Sequence, residues 1–135
     1  MNRINRGFTL IELMMVVAIV AVLASLSMGY YGNYVIKANR TDGRAALTET
    51  ATRLEKCKAI YGAYNHANCD AVIPATSKLP EGLYTIAATR DVSTFTLTAT
   101  PATGKAQTKD SDCTAITLTN TGIQSGKGDD KTQCW

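Results

Sequence analysis

The sequence is poor in the residues and motifs that usually carry enzyme chemistry. Its one histidine, His66, stands among Asn, Ala and Tyr, away from the serine, aspartate and cysteine patterns of a catalytic triad. It has no Gly-rich phosphate loop and no nucleophile elbow. These absences exclude the common hydrolase and nucleotide-binding signatures, so we predict that the chain is not an enzyme and that His66 is a solvated loop residue.

Metal-ligand spacing is missing as well. The cysteines include no C-x₂-C pair, because 11, 43 and 20 residues separate the four of them. Asp129 and Asp130 lie in a Gly-rich stretch, but without the D-x-D-x-D-G order of a calcium loop. We therefore expect no metal site and no cofactor.

Charge is absent from one long stretch of the chain. Residues 13–36 are 24 consecutive residues without a charged side chain, and about 20 apolar residues suffice to cross a bilayer. A secretory signal needs a shorter apolar core and a small-residue cleavage site, for which ASLSMG is the nearest match. A plain membrane anchor is the other simple interpretation. Either one keeps Arg3 and Arg6 cytoplasmic.

Glu12, at the start of this apolar run, is explained by neither interpretation. A carboxylate at the centre of a membrane helix costs roughly 2.5–3.5 kcal/mol, and somewhat less near the interface. An ionisable group in such a place marks a functional site whose partner has to be identified. We therefore treat Glu12 as the principal candidate site residue.

The net charge gives little support to nucleic-acid binding. The chain has 14 Lys+Arg against 11 Asp+Glu, and residues 8–135 are close to neutral, with 12 against 11. A local basic stripe stays open as an alternative, because five cations in predicted loops are free to converge. Aspartates interleave with these five cations, which are Arg90, Lys105, Lys109, Lys127 and Lys131.

Hydrophobic periodicity predicts an α+β fold. One long helix should run from Phe8 to about Ile60, and apolar residues between Leu47 and Tyr64 recur every three or four positions, which gives an amphipathic face. Residues 61–82 read as a loop. Alternation of apolar and polar residues predicts strands at 84–88, 95–99 and 116–118. We expect a small antiparallel sheet of three or four strands to pack on the second half of the helix.

The stretch RGFTLIE, residues 6–12, followed by the long apolar run, resembles the processing site of type IV prepilins. Further along, FTLTATP (95–101), Gln107, Asp112-Cys113, LTNTG (118–122) and CW (134–135) resemble the C-terminal half of PilE-like pilins, a group of small type IVa pilins that includes many minor components. Residues 58–93 are less diagnostic.

The resemblance implies a role for each residue of the N-terminal motif. A prepilin peptidase would cut between Gly7 and Phe8 and methylate the new N-terminus at Phe8. Glu12 would then meet the N-terminal ammonium of a neighbouring subunit as the chain enters a fibre. The domains implied are a leader (1–7), a transmembrane and assembly helix (8–36), and a globular part that includes the amphipathic half of the helix (37–135).

The even number of cysteines predicts two disulfides in a chain that leaves the cytoplasm. Of the three possible pairings we favour Cys57–Cys69, which closes the helix end over the loop, and Cys113–Cys134, which closes the C-terminal tail. The second pair resembles the disulfide-bounded loop of type IV pilins, whereas the first is not general in that family.

The function implied by the resemblance is a structural, minor subunit of a type IV pilus. Its partners would be the prepilin peptidase, other pilin subunits and, before assembly, the inner membrane, with the globular part periplasmic. After assembly it would lie in an extracellular fibre. Two alternatives remain at this point: a competence pilin that binds DNA, and a pseudopilin of a type II secretion system.

Overall fold

The computed structural model describes residues 8–73 and 82–135. Its contacts divide the chain into two compact units, Met1–Val35 and Ile36–Trp135. We call the described part of the first unit (8–35) the stem and the second unit the head. One helix, α1 (Leu10–Tyr61, 52 residues), passes through both. Its bounds agree with the predicted helix to within two residues at each end.

The stem exposes its apolar side chains. From Phe8 to Leu26 every described residue is exposed, and the large hydrophobic side chains in this range keep 54–89% of their surface accessible. Within the described chain, no single helix meets the length and hydropathy of a membrane span by itself, whereas Leu10–Leu26 and Tyr31–Tyr61 taken together do.

The head contains one antiparallel sheet with the strand order β1-β2-β3-β4. Its strands are β1 (Tyr84–Arg90), β2 (Phe95–Pro101), β3 (Ala115–Thr119) and β4 (Gln124–Lys127). The register pairs Ala88 with Leu97 and Leu97 with Leu118, which keeps the apolar positions of the first three strands on one face. The α+β fold expected from the periodicity is confirmed.

The core of the head lies between this face and α1. Leu47 and Leu54 of the helix are fully buried with Leu97 and Ile116 of the sheet, and each such side chain contributes roughly 1.5–3 kcal/mol by leaving water. Gly43 lets the helix approach closely, because a Cβ there would stand 3.1 Å from the Ile116 Cδ1 atom. Helix and sheet are therefore held by close packing as well as by apolar burial.

Three details differ from the sequence-based expectation. Tyr61 is 44% exposed, and Tyr64 reaches the core from beyond the end of the helix. The predicted loop contains a 3-10 turn (Ala67–Val72), while residues 74–81 lie outside the described chain. No strand was assigned to the polar tail, but the tail supplies β4, whose Ser125 lies opposite Thr117.

Candidate functional site

The first turn of α1 is closed by a reciprocal pair of hydrogen bonds between Thr9 and Glu12. The Glu12 backbone N–H donates to the Thr9 Oγ1 atom at 3.3 Å. In return the Glu12 Oε2 atom accepts from the Thr9 backbone N–H and from its hydroxyl, each at 2.9 Å. This is a capping box, in which each side chain satisfies a backbone donor that the helix itself leaves open.

The capping box leaves half of the Glu12 carboxylate unused. Within residues 8–73 and 82–135 the Oε1 atom accepts no hydrogen bond, so it remains available to a donor outside this part of the chain. Phe8, the predicted new N-terminus, is 89% exposed. Gly7 lies outside the described residues. The T-x-x-E signature of the cap was readable in the sequence, and our prediction did not use it.

A shallow apolar groove runs along the stem next to this site. It is lined by Leu13, Met14, Val17, Ala18 and Ala21. The two alanines make the groove low enough for another helix to approach closely, and small residues serve this purpose in helix association within membranes. The stem therefore offers both an apolar surface and one unsatisfied carboxylate oxygen.

A buried ion pair fixes the region of the head nearest to the stem in sequence. Arg40 donates to Asp110 through its Nε atom at 2.7 Å and its Nη2 atom at 2.6 Å, and both side chains are 2% exposed. Asp110 also accepts from the Gln107 Nε2 atom at 2.9 Å and from the Cys113 backbone N–H at 3.2 Å. The hydrogen bond to Asp110 raises the pKa of Arg40.

This ion pair was missed by the sequence analysis. The sequence analysis named Gln107 only as part of the family resemblance. It assigned no role to Asp110 or to Arg40, which lies within the predicted helix. Neighbouring Tyr84 is also buried, and burial raises its pKa, while a hydrogen bond from Gln107 acts in the opposite direction. Only the tertiary structure, which brings together residues 70 positions apart, reveals that Arg40 and Asp110 satisfy one another.

Two arginines on α1 also hold the C-terminal tail by its backbone. Arg40 donates to the Gln133 carbonyl at 3.1 Å, and Arg44 donates to the Gln133 and Cys134 carbonyls at 3.1 and 2.8 Å. The structure joins Cys113 to Cys134, with Cα atoms 5.5 Å apart. Arg44 is therefore only partly exposed, because the tail packs against it.

A second cluster closes the other end of the head. The structure joins Cys57 to Cys69, with Cα atoms 5.8 Å apart. The Tyr64 hydroxyl donates to Glu55 at 2.6 Å, and burial together with this bond raises the pKa of Tyr64 to about 12. His66 is half-buried rather than solvated, because its ring stacks on Tyr61 with centroids 4.6 Å apart.

The five cations proposed as a basic stripe do not share one surface. Arg90 donates to the Tyr64 carbonyl at 2.9 Å and pairs with Asp70, so it lies beyond the C-terminal end of α1. Gln107, whose turn carries Lys105 and Lys109, donates instead to the Ile36 carbonyl. Ile36 and Tyr61 are about 37 Å apart along the helix axis. The structure therefore does not support the alternative in which all five cations form one basic stripe.

Comparison with known proteins defines the class. A prokaryotic N-terminal methylation motif matches residues 2–28. The chain is 39% identical to prepilin peptidase-dependent protein D of Escherichia coli K12 over 66 residues, covering 49% of this chain and 44% of that protein. It is 37% identical to the type IV major fimbrial protein FimA of Dichelobacter nodosus over 57 residues, covering 42% and 36%. It is 45% identical to a probable minor fimbrial protein of the same organism over 51 residues, covering 38% and 32%.

These features are those of a type IV pilin with a methylation motif at its N-terminus, and the resemblance seen in the sequence is confirmed. The chain spans less than half the length of the curated relatives it matches. Residues 30–117 match a family model described as type IV minor pilin ComP, DNA uptake sequence receptor. Because this match covers more than half of the residues of the chain, the chain belongs to this family of type IV minor pilins.

Proposed function

We propose that this chain is a structural subunit of a type IV pilus, held in the inner membrane before assembly and in the fibre afterwards. One observation carries the proposal: the stem exposes its apolar side chains from Phe8 to Leu26 and has a single carboxylate at its start. Such a surface is stable only when covered by lipid or by other apolar helices. During assembly the stem of a pilin leaves the lipid and becomes packed against the apolar helices of other subunits.

Processing prepares the chain for this exchange. A prepilin peptidase would cut between Gly7 and Phe8 and methylate the Phe8 nitrogen, which becomes a positively charged N-terminus. The Thr9–Glu12 capping box is unaffected by the cut, because Thr9 keeps its backbone N–H. The free Oε1 atom of Glu12 then accepts a hydrogen bond from the Phe8 ammonium of a neighbouring subunit. This ion pair sets the axial position of the incoming stem. A charge pair in apolar surroundings tolerates little displacement.

Mass spectrometry tests the processing step. Co-expression with a prepilin peptidase should give a chain that starts at monomethylated Phe8. Gly7→Val should block the cut, because only a residue without a side chain fits tightly at the scissile bond. An N-terminus at Ser25 or an intact Met1 in the presence of the peptidase would contradict this scheme.

Substitution of Glu12 tests the assembly step. Glu12→Gln and Glu12→Val should still insert in the membrane and be cut after Gly7, but should be missing from sheared fibres, because neither provides an anion for the ammonium. Glu12→Val should insert slightly better, since the cost of a membrane carboxylate is gone. Glu49→Gln, an exposed glutamate on the head, is the matched control and should assemble normally.

Recovery of Glu12→Val in fibres at the wild-type ratio would refute the pairing. If the variant disappeared from the membrane altogether, Glu12 would act in insertion or folding instead. Glu12→Gln separates the cap from the charge, because an amide oxygen still accepts the Thr9 N–H bond.

DNA binding at the fibre surface is a second candidate function, favoured by the family description as a DNA uptake sequence receptor. Arg90 is occupied by Asp70 and the Tyr64 carbonyl, so lysines of the head would have to supply the phosphate contacts. The test is an electrophoretic shift with duplex DNA at two salt concentrations, since phosphate contacts weaken steeply with salt. The pseudopilin alternative gains no comparable support, because the matched family is one of pilins.

A further inference from the structure

One short turn of the head is tied to the residue at which the apolar run ends. Gln107 lies in the 3-10 turn Ala106–Lys109, and its Nε2 atom donates to the Ile36 carbonyl at 3.0 Å. Ile36 is the last residue of the uncharged run, and Lys37 follows it. The turn is therefore fixed where the chain passes from apolar to polar sequence.

This part of the head presents lysines. Lys105 and Lys109 stand two residues on either side of Gln107, so each lies only about 4 Å along the turn from the anchored residue. Lys37 and Lys109 are exposed, and Lys105 is partly exposed. We call Lys37, Lys105 and Lys109 the base lysines.

Two of the acidic residues near the base lysines face Arg40, whereas a third, Asp129, is exposed and donates its backbone N–H to the Ser111 carbonyl. Asp110 is buried against Arg40, and Asp112 also faces Arg40, with its Oδ2 atom 3.5 Å from the Arg40 Nη2 atom. Asp130 feels the charge of Lys37 but accepts hydrogen bonds from Thr132 and Gln133. Segment 102–109 itself contains two lysines and no acid. The exposed charge of the turn is therefore positive.

We propose that the base lysines bind the headgroups of anionic phospholipids while the chain is held in the membrane. The inference rests on the proposed function, because it takes the apolar run as the membrane segment and so places Ile36 at the bilayer surface. Lysines next to a membrane segment gain about 1 kcal/mol each from an anionic surface, which is about fivefold in the binding constant per lysine.

Position along the chain favours lipid over DNA as the occupant. A DNA-binding surface has to be reachable from outside a fibre, whereas the base lysines lie close in sequence to Ile36, where the apolar run ends, or to Gln107, which is bonded to it. Contact between the base lysines and lipid would hold the head at the membrane surface. The contact would be broken when assembly withdraws the apolar run from the membrane.

Amine labelling of the full chain in vesicles tests the proposal. The chain is reconstituted in phosphatidylcholine alone or in phosphatidylcholine with phosphatidylglycerol, treated briefly with an amine-reactive ester, and mapped by mass spectrometry. Labelling of the base lysines should fall about fivefold when phosphatidylglycerol is present and should recover in high salt. Lys56 is the internal control: it lies 19 residues beyond Lys37 on the same helix, about 28 Å away and well past the screening length.

Three outcomes would overturn the proposal. Equal labelling of the base lysines in both kinds of vesicle would show that they do not contact anionic lipid. Protection of Lys56 as strong as that of the base lysines would show that the effect is non-specific. Protection by duplex DNA in neutral vesicles, without protection by phosphatidylglycerol, assigns the lysines to DNA. A separate flotation step keeps the two hypotheses apart: a chain that fails to float with neutral vesicles contradicts the membrane stage of the proposed function, whereas a chain that floats without lysine protection contradicts only this inference.

Discussion

The buried pair between Arg40 and Asp110 should be the least replaceable interaction of the head outside its apolar core. Arg40→Met removes the charge but keeps an unbranched apolar side chain in the same place. It leaves Asp110 buried with two neutral donors, the Gln107 amide and the Cys113 N–H, and no cation. It also releases one of the three arginine bonds to the tail carbonyls.

The magnitude follows from burial. Removing one partner of a buried ion pair costs roughly 3–5 kcal/mol, because the other charge stays desolvated and uncompensated. Both side chains are 2% exposed, so the full range applies. Asp110→Ala should be the worse of the two, since it takes an acceptor from Arg40, Gln107 and Cys113 at once. For a unit of about 100 residues, each kcal/mol shifts the midpoint of thermal unfolding by about 4 °C or more.

The assay is thermal unfolding of the full chain in detergent, followed by near-ultraviolet circular dichroism, which reports the tertiary contacts of tyrosine and tryptophan. Arg53→Met is the matched control: its pair with Glu49 is 40% and 51% exposed, and such surface pairs contribute at most about 1 kcal/mol. The double variant Arg40→Met/Asp110→Leu should lose less than the two single losses combined. If Arg40→Met unfolds within 1 kcal/mol of the wild type, or no lower than Arg53→Met, the reasoning is wrong.

Three further predictions concern the covalent and ionisable groups of the head. Non-reducing peptide mapping should find Cys113–Cys134 and no free thiol, and reduction should loosen the C-terminal tail first, as seen by faster proteolysis there, because few apolar side chains hold it. Gly126→Ala should destabilise the head by about 1–3 kcal/mol, because a Cβ there overlaps the Cys134 sulfur; a neutral result in denaturant titration would show that β4 is free to shift. Since burial and Glu55 raise the pKa of Tyr64 to about 12, the folded head keeps a proton that the unfolded chain releases near pH 10. Stability should therefore fall as pH rises from 10 to 12, and Tyr64→Phe should reduce that fall in a pH series of thermal melts.

Local patterns were enough to predict the elements of the fold. The helix was readable because its uncharged run and the apolar spacing from Leu47 onward each extend over many turns. β2 was readable because Thr and apolar residues alternate without a break. β4 was harder, since Gln124–Lys127 has no apolar residue, and its pairing depends on β3 being present beside it.

The candidate site was predictable only in part. Glu12 stood out because a charge at the edge of an apolar run is costly wherever it occurs. The network of Arg40 and Arg44 did not, because nothing local distinguishes a buried arginine on a helix from a solvated one. Its meaning depends on Asp110 and on carbonyls about 90 residues away. Interactions over such separations are set by tertiary packing and leave no periodic signal.

The hydrogen bond from Arg44 to the Cys134 carbonyl affects how the head folds. A contact across 90 residues forms only after the intervening chain has been synthesised and exported. Contacts of this separation slow folding, because a long loop must close before the contact is gained. Newly exported chains should therefore pass through an interval in which α1 has formed and β4 has not. During that interval the sheet is still open at the edge of β3, and oxidants, proteases and chaperones have access to the head.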